Sequence, residues 1–168
     1  MLKKFINCFF NLIDISPVQL KCVKLGAGVI MPTKAHMGLF EDAAFDLYAT
    51  EDVLLQSGSR LMVGTKLGFI IPDGFWLKLR ERSGLASKGI HVMGGVIDCG
   101  YTGEVKVILY NAHAEPVSIP VGKAICQFTV ERLTKATIEE LTFASFTTEA
   151  DERKRGDKGF GSSDANFK

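Results

Sequence analysis

Leu67-Gly68-Phe69-Ile70-Ile71-Pro72-Asp73-Gly74-Phe75-Trp76-Leu77-Lys78-Leu79-Arg80-Glu81-Arg82 reads as strand, turn, strand. Two short runs rich in β-branched and aromatic residues flank Pro-Asp-Gly, where proline presets φ and glycine and aspartate tolerate the unusual angles of a tight turn. Outward from this stretch the same pattern repeats. Further candidate strands lie at 18–25, 44–49, 60–63, 104–110, 124–132 and 138–141, beside 67–71 and 75–82. Turns fall at Asp98-Cys99-Gly100 and Pro120-Val121-Gly122. No long stretch has helical period, so the fold class is all-β, a sandwich or barrel. One short helix is expected at 84–88, with Ser83 as N-cap and Gly89 as its stop.

The chain of 168 residues is the size of one domain. Its 46% hydrophobic and 23% charged residues are ordinary for a globular protein. Twenty basic residues against nineteen acidic ones leave a formal charge of +1. No global field therefore points to nucleic acid or to an anionic membrane, and an anion site must be local. Cys8, Cys22, Cys99 and Cys126 have neither zinc-ligand nor disulfide-framework spacing and read as free thiols in a reducing compartment. His36, His91 and His113 lack the spacing of a zinc site, and Trp76 reads as core or interface packing. No segment is long enough to span a bilayer, so a cytoplasmic protein is expected, or one in host cytoplasm or nucleus if viral. Residues 1–16 read as an N-terminal extension, 17–146 as the β domain, and 147–168, polar and Gly/Ser-rich, as a mobile C-terminal arm.

Three constellations have chemistry in them. Arg82-Ser83-Gly84-Leu85-Ala86 brings a guanidinium, a hydroxyl and helix-terminal N–H groups to one point, suited to phosphate oxygens or simply a capped surface helix. Gly95-Val96-Ile97-Asp98-Cys99-Gly100-Tyr101-Thr102-Gly103-Glu104 reads as a β-hairpin with a carboxylate and a phenol either side of its tip. Period two puts Val96 and Asp98 on one side and Ile97 on the other, although a hairpin tip also selects aspartate for turn propensity alone. Arg155-Gly156-Asp157-Lys158-Gly159-Phe160-Gly161-Ser162-Ser163 is either a phosphate-gripping arm with one stacking face or a solvated tail. It is no Walker A loop.

Taken in order, these segments resemble the five motifs of the trimeric dUTPase family, over nearly everything from residue 18 to residue 163. Ala43-Ala44-Phe45-Asp46-Leu47-Tyr48-Ala49 resembles the first motif, Arg82 to Ala86 the second, 95–104 the third, 122–127 the fourth and 155–163 the fifth. The resemblance implies a jelly-roll-like homotrimer with active sites shared between chains, hydrolysing dUTP to dUMP and pyrophosphate with Mg²⁺. On that analogy Asp98 activates the attacking water. Backbone groups of Gly95, Val96 and Ile97 hold the uracil, and Tyr101 packs on the deoxyribose. Arg82, Ser83, Gly84 and Gln127 approach the phosphates, and Asp46 organises Mg²⁺ through water. The arm closes over the site, Arg155, Gly161, Ser162 and Ser163 at the outer phosphates and Phe160 on the base.

The sequence departs from the family pattern at Glu81, usually proline, at Lys123-Ala124, usually Asp-Arg, and in the arm at Lys158, Ser163 and Asp164. Alternation should point Glu81 away from Arg82. Two other classes compete. A dCTP deaminase shares the scaffold, but Ile108 stands where that family needs its catalytic glutamate. A silent nucleotide-binding protein on the same scaffold is the second.

Overall fold

A computed structural model describes residues 17–151. Among these residues ten strands form three sheets. Strands β1 (Lys21–Lys24), β4 (Arg60–Ile70), β8 (Glu104–Asn111) and β6 (Ile90–Met93) make the first, in that order. In the second, β2 (Phe45–Tyr48), β10 (Ala124–Arg132), β5 (Phe75–Arg80) and β7 (Val96–Ile97) lie side by side, and β3 (Val53–Leu55) pairs with β9 (Val117–Ile119). All ladders are antiparallel. The result is the expected all-β, jelly-roll-like sandwich.

Alternation builds the core. In β8 every second residue, Val105, Val107, Leu109 and Asn111, is buried. Val105, Val107 and Leu109 meet Leu47, Leu77, Leu79 and Phe128 from the second sheet in one hydrophobic cluster. Phe128 stacks on Phe45 at 5.4 Å and meets Phe69 of the facing sheet edge-on at 5.5 Å. Asn111 escapes the cost of burial because its amide donates to Leu55 O at 3.0 Å and Glu115 O at 2.9 Å, while its Oδ1 accepts the His113 N–H at 2.8 Å.

The structure corrects several expectations. The candidate strands 60–63 and 67–71 are one strand, β4, whose register shifts between Gly64 and Gly68. Lys66 takes φ 50 in this bulge, and its N–H is received by a Glu104 carboxylate oxygen at 2.9 Å, which is why the ladder survives the break. β3, β6, β7 and β9 have four residues or fewer and pass below a periodicity window.

No strand forms at 138–141, and helix α2 (Phe143–Asp151) follows instead. Thr142 starts it, accepting the Ser145 N–H on its hydroxyl at 3.2 Å, a cap that the sequence reading missed. The expected boundary at 146/147 falls inside this helix, and the chain divides into two compact units between Thr134 and Lys135.

Candidate active site

The second sheet sets three polar residues in a row across neighbouring strands: Asp46 opposite Gln127, and Gln127 opposite Arg80. Their neighbours Leu47, Phe128 and Leu79 are buried, so by alternation the row lies on the outer face. Arg82, two residues past Arg80, donates from Nε to Asp46 Oδ1 at 2.8 Å. Gln127 donates from Nε2 to Glu81 O at 2.6 Å, fixing the backbone beside Arg82. Asp42, Arg80 and Thr129 complete a cleft of about 520 Å³ with these residues. A half-buried guanidinium held by a carboxylate keeps its remaining donors aimed, which suits phosphate oxygens.

Helix α1 (Ser83–Ala86) follows at once. It begins one residue earlier than expected, and Ser83 is not its cap: the N-cap is Arg82, at φ −86 and ψ 134, with no side-chain cap bond. The arginine is extended because it continues the line of β5, so the hydroxyl sits in the first turn, exposed like Gly84. The N–H groups of these first helical residues have no intrahelical acceptor. Glu81 reaches away from Arg82 as alternation requires, its carboxylate accepting the Val92 N–H of β6 at 3.2 Å.

Residues 95–104 form something other than a hairpin ladder. Val96 and Ile97 pair with Lys78 and Leu77, whereas β8, beginning at Glu104, pairs with β4 and β6 of the other sheet. The turn, closed by the Tyr101 N–H on Asp98 O at 3.0 Å, therefore crosses from sheet to sheet. Ile97 and Val105 are both buried, and each must enter the core from its own side. Gly95 is needed where it stands, since a Cβ there would lie 2.8 Å from Leu79 O. Val96 and Asp98 are exposed, and Ile97 gives its side chain to the core while it pairs with Leu77. The Tyr101 hydroxyl donates to Glu104 O at 2.8 Å.

The expected site residues thus fall into two groups. Ile97 is level with Leu77, and Gln127 with Arg80, three positions along β5 or roughly 10 Å at ~3.3 Å per residue. Asp98 lies further still in the same direction, and neither it nor Tyr101 lines the cleft of Asp46, Arg82 and Gln127. Arg155, Phe160, Gly161, Ser162 and Ser163, like residues 1–16, are outside the described residues.

Sequence reasoning passed over three polar cleft residues, Arg80, Asp42 and Thr129. Arg80 stands two before Arg82 and could have been found by period two. Nothing local marked Asp42, which comes in through a loop closed on His36: Oδ2 accepts the His36 N–H at 3.0 Å and Oδ1 lies 3.2 Å from Nδ1. Those bonds, the backbone one foremost, hold the Asp42 carboxyl below the usual range.

Under the row, burial pushes the Cys126 thiol up to about 12. Cys22, Cys99 and Cys126 are all free, and among the described residues no group of three or more His, Cys, Asp and Glu side chains could hold a metal ion. No described helix is long and apolar enough to cross a membrane.

An all-β sandwich with an arginine–carboxylate cleft and a separate carboxylate-bearing turn defines a class of jelly-roll-like proteins with anion-suited sites. Comparison narrows the class. The dUTPase family profile matches residues 29–164. The deoxyuridine 5'-triphosphate nucleotidohydrolase of Nocardia farcinica is 39% identical over 153 residues, 89% of this chain and 86% of that protein. The enzyme of that name from Helicobacter hepaticus is 38% identical over 149 residues, 87% and 89% of the two chains. Among solved structures, the dUTPase of Staphylococcus bacteriophage 80alpha with dUPNHPP superposes with a TM-score of 0.74 at 25% identity, covering 86% of this chain and 98% of that one. A mutant dUTPase from phage phi11 of S. aureus, solved with a structural Mg(II) ion, has a TM-score of 0.66 at 21% identity, over 73% and 96%. The chain belongs to the dUTPase family.

Proposed function

We propose that this protein hydrolyses dUTP to dUMP and pyrophosphate, in a homotrimer whose active sites are each completed by more than one chain. Family membership supports the reaction. The observation that carries the shared site is the distance, within one chain, between the Asp46–Arg82–Gln127 cleft and the Asp98–Tyr101 turn. A base must come within hydrogen-bond reach of the water it deprotonates, and a turn that does not line its own chain's cleft is free to complete the cleft of a neighbouring chain.

On this reading Arg82, Ser83, Gly84 and Gln127 hold the triphosphate still, while Asp98 of another chain takes the proton of the water attacking the α-phosphorus. The Gly95, Val96 and Ile97 backbone receives the uracil, and Tyr101 packs on the deoxyribose. Arg155, Gly161, Ser162 and Ser163 of the arm reach the outer phosphates, with Phe160 on the base. No covalent nucleophile is needed.

Mg²⁺ would suit this cleft, because Asp46 offers a hard oxygen acceptor to water in the ion's shell while phosphates and waters would be its direct ligands. Held there, it would neutralise phosphate charge. The product dUMP would then serve dTMP synthesis, and removal of dUTP would limit uracil in DNA.

Pyrophosphate release by the purified protein, measured with dUTP, dTTP, dCTP and UTP with and without Mg²⁺, tests the proposal. Rapid Mg²⁺-dependent turnover of dUTP alone is expected; equal turnover of dCTP or UTP would reject it.

A further inference from the structure

Tyr101 stands on an exposed turn, itself 45% exposed, yet its ring is fixed at two points. The hydroxyl donates to Glu104 O at 2.8 Å. The ring also lies directly over Gly103, where a Cβ would come within 2.8 Å of the Tyr101 hydroxyl oxygen and 2.9 Å of Cζ. Gly103 is not among the residues at positive φ, so the backbone there admits any L-residue. What requires glycine is the phenol.

The acceptor is held in turn. Glu104 reaches back into the β4 bulge, where its Oε1 accepts the Lys66 N–H at 2.9 Å. The fit is tight enough that a Cβ on Gly64 would lie 2.5 Å from that oxygen. Lys106 Nζ stands 3.9 Å from Oε2. The carbonyl that receives the phenol proton is therefore pinned, through its own side chain, to a strand of the neighbouring ladder.

We infer that Gly103 and Glu104 are positioning residues that hold the Tyr101 ring rigid and so set discrimination against a 2'-hydroxyl. The inference rests on the proposed packing of Tyr101 against the sugar. A ribonucleotide differs there by one oxygen, and a ring excludes it only if the ring does not yield; one that can swing aside admits both sugars.

The test is the ratio of kcat/KM for dUTP to that for UTP, in the full-length protein. Gly103→Ala displaces the ring, and Tyr101→Phe keeps the ring but removes its bond. Each should lower the ratio, Gly103→Ala by about tenfold or more, the scale of a single steric determinant. In a Tyr101→Ala background, adding Gly103→Ala should leave the ratio within about twofold, because coupled residues are not additive. A wild-type ratio in either single variant, or an equal further drop in the Tyr101→Ala background, overturns the inference while the sugar contact stands. If Tyr101→Ala itself keeps the wild-type ratio as dUTP turnover persists, the sugar contact is wrong and the inference falls with it. A wild-type protein that turns over no dUTP removes the reaction on which both depend.

Discussion

Asp98 occupies the first corner of the sheet-crossing turn, its carbonyl taken by the Tyr101 N–H and its side chain exposed. Asparagine has nearly the same shape and cannot accept the water's proton. Asp98→Asn should therefore keep the fold and the binding of a non-hydrolysable analogue while kcat drops by at least ~10²-fold, the usual loss with a general base. Turnover close to normal would mean that another group activates the water. Cys126 makes a different prediction. Its thiol, raised from 9.0 to about 12 by burial, stays protonated when folded at pH values where the unfolded chain ionises. Its contribution to stability is thus complete below the unfolded value and fades as pH rises towards the folded one. Thermal unfolding between pH ~8 and ~10 should show the wild type losing more Tm than Cys126→Val. Parallel curves would refute the assignment.

Among the elements, β7 is the most exposed to a single change, since two residues hold it to β5 and Gly95 lets it approach. Gly95→Ala sets a methyl against the Leu79 carbonyl, a backbone atom with no rotamer to escape into, and should destabilise the protein by about 1–3 kcal/mol, the usual cost of overpacking. Chemical denaturation of the two proteins measures it, and an unchanged midpoint would show that β7 shifts freely. The sequence made the long elements legible. β8 was found nearly to the residue because its alternation runs over its whole length, and β10 because Ile125, Phe128, Thr129 and Val130 make a long run of strand-favouring residues. It could not tell that 96–97 and 104–111 belong to different sheets, because a turn between strands looks the same whether they pair together or part. Nor could it place Asp42, whose route into the cleft depends on a loop closure six residues long. Asp46 and Gln127 were named from motif resemblance alone, Arg82 also from its place beside Ser83 and a helix terminus, and their adjacency is a matter of register that no local signal encodes.

At the scale of the whole molecule, the proposed sharing of each site between chains would allow two dead proteins to repair each other. Asp98→Asn keeps an intact arm, and a chain truncated before Arg155 keeps an intact Asp98. Denatured together and refolded, they should regain part of the wild-type pyrophosphate release, since some sites in a mixed oligomer are complete. Mixed oligomers, verified by mass, that remain inactive would place each arm on its own chain. The same architecture has a consequence for how the protein is made. β2 is hydrogen-bonded to β10, the last of the ten strands to leave the ribosome, and Asp46 finds its neighbour Gln127 only then. Until that moment β2 has its bridge to Thr33 and no ladder partner, the kind of open strand edge that chaperones bind and that aggregates when synthesis stalls. A nascent chain arrested before Ala124 would accordingly carry nearly all of the β domain's residues, Asp46 and Arg82 included, without the strand that lies between β2 and β5 and sets the cleft's residues in one row.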